Sequence, residues 1–66
     1  MLNDSEFFAT VCAVETYGGS FYRALGAALR HADRTNRERI LAAFPEIAQN
    51  YGPGTSLYIQ AEISNV

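Results

Sequence analysis

Only one pair of side chains in this sequence could work as a cysteine nucleophile with a histidine base. That pair is Cys12 and His31, each the single residue of its kind. One histidine excludes a histidine metal cluster or a two-histidine zinc motif within one chain, and one thiol excludes an internal disulfide. Cys12 falls among Phe7, Phe8, Val11 and Val14, where a small buried thiol is inert unless its surroundings are open and electropositive. His31 stands late in an amphipathic segment, where an imidazole answers a helix dipole. Gly18-Gly19 and Gly52-Pro53-Gly54 lack the spacing and the lysine of a phosphate loop. The expectation is a protein that is not an enzyme, with no catalytic residue, no metal and no cofactor.

Chemistry of another kind is available to the arginines and tyrosines. Every basic residue is an arginine (Arg23, Arg30, Arg34, Arg37, Arg39), and guanidinium groups make forked pairs with carboxylates and stack on rings. Arg23, Arg30 and Arg34 share one outward line if their helix runs a turn further. Asn36, Arg37 and Arg39 would then open the recognition helix of a helix-turn-helix. Against this, Asp33 and Glu38 lie among the arginines and the net charge is −2, so a solvated, salt-bridged face is the better reading. Nucleic acid is therefore not the expected partner; a small DNA-binding domain is the alternative. Glu15 and Arg37 each sit beside apolar positions, which is explained by an inter-helix Glu15–Arg37 ion pair or by snorkelling to the rim. Tyr17, Tyr22, Tyr51 and Tyr58 sit at segment ends or off the apolar stripes, and Tyr and Arg are enriched at protein interfaces. The binding residues expected from these patterns are Arg23, Arg30, Arg34, Arg37, Glu38, Tyr51 and Tyr58.

The elements that must position these groups are helices. Asn3 and Glu6 have the spacing of a capping box, and Leu2 with Phe7 that of a hydrophobic staple, so a first helix is expected over about 4–17. Ser20 can cap a second helix over about 20–32. Its apolar stripe is Phe21, Ala24, Leu25, Ala28, Leu29 and Ala32; Arg23, Gly26, Ala27 and Arg30 face the other way. Thr35 and Glu38 have a second capping-box spacing, opening a helix over about 36–51 that is kinked or broken at Pro45. Ile40, Phe44, Ile47 and Tyr51 nonetheless step as one stripe through the proline. The fold class expected is all-α, a single domain spanning residues 1–66 with three main helices.

After Gly52-Pro53-Gly54, Leu57, Ile59, Ala61 and Ile63 alternate with polar residues, which predicts an extended tail over 55–64. No second strand is available to it, so it pairs with a second copy or lies across the helices. Pairing is favoured, giving a homodimer through residues 56–64. The competing reading is a helical turn from Ser56, since Leu57, Ala61 and Ser64 keep helical spacing. A chain of 66 residues buries only about 60% of its unfolded surface, leaving little interior for a substrate pocket. No segment approaches the roughly 20 apolar residues of a membrane span, and no basic leader precedes an apolar run; no membrane partner and a cytoplasmic location are expected.

Phe21-Tyr22-Arg23-Ala24-Leu25, Asn36-Arg37-Glu38-Arg39-Ile40, Ala43-Phe44-Pro45-Glu46 and Tyr51-Gly52-Pro53-Gly54 carry a resemblance. Over residues 20–54 the chain resembles small helical proteins of phages and other bacterial mobile elements, among them anti-CRISPR proteins. The resemblance implies a protein-binding inhibitor of a host defence complex in the bacterial cytoplasm. It implies no target and no site residue. A phage structural or assembly protein is a further alternative.

Overall fold

The computed structural model describes residues 2–64, and among them it is helical throughout, with no strand. Five helices follow one another: α1 (Asp4–Tyr17), α2 (Gly19–His31), α3 (Arg34–Ala43), α4 (Glu46–Tyr51) and α5 (Ser56–Ser64).

The first helix starts as its sequence requires. Asn3 Oδ1 accepts from the Glu6 backbone N–H at 2.8 Å, and Glu6 Oε1 accepts from the Asn3 N–H at 3.1 Å. Two of the donors left free at this end are thereby satisfied reciprocally. Asp4 and Glu6 also place negative charge at the positive end of the helix. One residue, Gly18, separates α1 from α2. Gly19 then takes φ +75°, a left-handed conformation in which a side chain would be strained. This reversal lays α2 back along α1. Ser20 is not the cap: the helix has already begun at Gly19, with Gly18 at the cap position.

A second correction concerns the start of α3. Its cap is Asp33, whose Oδ1 accepts from Asn36 N–H at 2.9 Å, and the helix begins two residues earlier than a Thr35–Glu38 box requires. An aspartate after the extended Ala32 reaches the free N–H groups first. At Pro45 the chain breaks rather than kinks. Phe44 leaves helical geometry at φ −126°, ψ 70°, and Pro45 opens a separate short helix. Of its two readings, two short helices or one kinked at Pro45, this region takes the first, two short helices. Its stripe still runs inward across the break, with Ile40 and Phe44 half-buried and Ile47 and Tyr51 buried.

The C-terminal segment is a helix, not an extended strand. Thr55 Oγ1 accepts from Tyr58 N–H at 3.3 Å and donates to Gly52 O at 2.7 Å, so it caps the segment and ties it to the preceding turn. That capping lets Leu57 and Ala61 meet the core one helical turn apart, and it outweighs the two-residue alternation. The strand-to-strand pairing expected through 56–64 has no strand to make it.

The helices surround α1. Val11, Ala13 and Val14 from α1, Leu29 from α2 and Ile47 from α4 are completely removed from solvent. Phe7, Tyr51 and Ala61 complete the cluster. Thr10 is buried with its hydroxyl donating to Glu6 O at 2.7 Å, so no polar atom is stranded there. The third helix contributes no buried residue and touches the body along one edge.

Candidate interaction surfaces

The strongest polar contact joins α1 to α2. Arg30 Nε lies 2.9 Å from each Glu15 carboxylate oxygen, and Nη2 lies 2.7 Å from Oε1. The Glu15 side chain crosses α2 at Gly26, where a Cβ would come within 2.6 Å of Glu15 Cγ. Only glycine leaves room for that path. Arg23 Nε donates to Glu15 O at 3.4 Å, so the acidic C-terminal turn of α1 receives two arginines from its neighbour. The carboxylate raises the Arg30 guanidinium above its usual range, and Cys12 Sγ accepts from Nη2 at 3.5 Å. With Arg30 40% and Glu15 26% exposed, this pair is worth about 1 kcal/mol at most.

The partner of Glu15 is therefore Arg30, not Arg37. Arg37 instead lays its guanidinium 4.1 Å from the Phe7 ring centroid, a cation–π contact. Its Nε is buried without a hydrogen-bond partner among the described residues. It shares a cleft of about 80 Å³ with Arg34, Glu38, Asp4, Leu2 and Leu41. Two cations and two carboxylates line that cleft, so its charge balances internally.

The seven expected binding residues do not form one surface. Arg23 and Arg30 meet at Glu15; Arg34, Arg37 and Glu38 meet in the α1–α3 cleft. Tyr51 is buried at 8% exposure and belongs to the core, a correction to its reading as an exposed contact. Tyr58 is half-buried on α5; burial, then Glu62 and Glu6, raises its phenol above the ordinary range. Tyr22, read as an off-stripe tyrosine, is half-buried and donates to Glu46 Oε2 at 2.8 Å. That hydrogen bond is the main cause of its own raised pKa. Cys12 and His31 do not meet. Cys12 lies against Arg30 on the α1 side of α2, and His31 lines the opposite side.

That opposite side is what sequence reasoning missed. The second helix turns Gly26 and the fully buried Leu29 inward, with Tyr22 and Leu25 half-buried against the core and Arg23 and Arg30 exposed at the rim of the α1 contact. Its apolar stripe is divided: Leu25 and Leu29 pack on the core, and the edge made by Phe21, Ala24 and Ala28 is turned outward. Phe21 is 57% exposed, and Ala24 and Ala28 are exposed. Phe21 stacks edge-on with Phe44 at 5.8 Å, and Tyr22 meets Tyr51 at 6.0 Å, so aromatic contacts run from this face to the core. Between α2 and α3 lies an open groove with an apolar floor of Ala28, Ala32, Ile40, Ala43 and Phe44. Its polar lining is His31, Asn36 and Arg39. The signal that points to it is Gly26, whose missing side chain marks the face of α2 that approaches another element most closely.

No described helix is long and apolar enough to cross a membrane. Comparison of the chain with protein-family models, with curated proteins and with solved structures finds no match.

Proposed function

We propose that this chain is a non-enzymatic protein-binding module, a phage-encoded inhibitor of anti-CRISPR type that works in the bacterial cytoplasm by covering a surface of a host defence complex. The observation that carries this reading is the uncovered apolar and aromatic side of α2, with Phe21 57% exposed beside Phe44. A 66-residue domain has little apolar surface to spare from its own core, so an exposed aromatic face favours a partner. The resemblance over residues 20–54 supplies the class of partner.

The dispersal of the arginines argues against the DNA-binding alternative. Arg30 is engaged by Glu15, Arg37 lies on Phe7, and Arg34 shares its cleft with carboxylates, so these three do not join into one basic face for phosphates. A homo-oligomeric phage assembly protein is the second reading, and one observation favours it: Ile59 and Ile63 are 48% and 63% exposed along one side of α5. Affinity capture from lysate of a bacterium with an active CRISPR system, followed by an interference assay, separates these readings. Recovery of a defence complex with loss of interference is expected. Capture of nucleic acid with steep salt dependence, or self-association alone, overturns the proposal.

A further inference from the structure

We infer that the α2–α3 groove is the docking site and that its occupant is an acidic amphipathic helix of the partner. This rests on the protein-binding reading above and deepens it.

The shape of the groove favours a helix. Two helices form its walls, and alanines at 28, 32 and 43 let a third backbone approach closely, as in helix-in-groove recognition. Ile40 and Phe44 supply the larger apolar contacts, and Phe21 extends the apolar edge. Asn36 to Phe44 spans about two helical turns, enough for anchors at i, i+3, i+4 and i+7 of an incoming helix.

Its charge favours an acidic one. None of the described carboxylates lines the groove, although the chain as a whole is acidic. Arg39 stands exposed at the groove, where its contact is Asn36 Oδ1 at 3.4 Å and no described carboxylate joins the lining. The other arginines turn to Glu15, to Phe7 or to the cleft holding Asp4 and Glu38. A guanidinium left exposed at the edge of an apolar lane steers and orients a carboxylate-bearing partner.

The test uses two synthetic helical peptides with leucines at i, i+3, i+4 and i+7, one flanked by glutamates and the other by lysines. Each is titrated into the isotope-labelled chain by nuclear magnetic resonance. The glutamate peptide is expected to bind and to shift the amides of Ala28, Ala32, Ile40 and Ala43. Arg39→Glu is expected to weaken it roughly tenfold and to reverse the preference toward the lysine peptide. Ala28→Trp, at an exposed position, should block both peptides while leaving the thermal unfolding midpoint in place; Ala43→Trp repeats the test from the other wall. Absence of binding, equal affinity for the two peptides, or shifts confined to α5 would overturn the inference. So would a wild type that light scattering finds dimeric and Ala28→Trp renders monomeric, because the occupant would then be a second copy. If the doubly substituted Ala28→Trp, Arg39→Glu chain still captures the defence complex from lysate, the protein-binding reading stands and the groove assignment falls. If the wild type captures none, the reading itself falls, whatever the peptides do.

Discussion

The second helix makes two contacts of opposite character. Toward α1 it offers Gly26, and the neighbouring backbone comes close enough for a glutamate side chain to lie across it and reach Arg30. Leu29 is completely buried beside that contact. Toward α3 it offers Phe21, Ala24 and Ala28, all exposed, and α3 answers with no buried residue at all. The apolar residues of α2 are divided between the two sides, Leu25 and Leu29 going to the core and Phe21, Ala24 and Ala28 outward. Close backbone approach at Gly26 together with the burial of Leu29 decides which face of α2 holds the fold together. The side left open is the one available to a partner.

The largest test of this contrast is a pair of truncations. Leu29→Ala should lose about 2–5 kcal/mol of unfolding free energy in urea, a large fraction of what a small domain has. Ile40→Ala on the half-buried α3 side should lose about 1 kcal/mol. Equal losses would erase the distinction between the two contacts. Next in size is Gly26→Leu. A side chain there must displace Glu15, so overpacking should cost about 1–3 kcal/mol despite leucine's better helix propensity. A stabilised variant would mean that α1 and α2 are not held at this distance.

The ion pair sharpens the comparison further. A double-mutant cycle with Glu15→Gln and Arg30→Gln should give a coupling of about 0.5–1 kcal/mol that shrinks in high salt. The same cycle between Glu15 and Arg37 should give a coupling near zero, since Arg37 lies on Phe7. The smallest effect is an alkaline one. Tyr22 has its pKa raised in the folded state, first by its hydrogen bond to Glu46 and then by burial. A raised folded pKa contributes stability that is complete below the unfolded value near 10 and is lost as pH rises through the folded one. Chemical denaturation should therefore show stability falling above about pH 10, less steeply in Tyr22→Phe. Tyr58 contributes a remainder of the same sign, because its pKa is raised too. An identical slope in wild type and variant would remove Tyr22 from the account.

Much of the architecture is written locally. Asn3 with Glu6 sets the start of α1, Gly18-Gly19 ends it and turns the chain, Pro45 ends α3, and Gly52-Pro53-Gly54 ends α4. Each acts through its own backbone geometry or a hydrogen bond three residues away, so each is readable without the rest of the molecule. The stripe Ile40, Phe44, Ile47, Tyr51 is equally legible because it survives the break between the helices that carry it.

What tertiary structure alone decided is how these helices roll against one another. Glu15 is equally reachable in principle by Arg37 and Arg30; the close approach at Gly26 selects Arg30. Leu57, Ile59, Ala61 and Ile63 fit a strand by alternation, but with no partner strand the segment gains most by burying Leu57 and Ala61 against the core as a helix capped by Thr55. The seven expected binding residues were chosen one side chain at a time, and their separation into two arginine sites, a core tyrosine and a half-buried tyrosine depends on contacts between elements. The groove belongs to the same class. Its residues come from two helices whose relative rotation is set by a glycine on the far side of one of them, a distance no local pattern encodes.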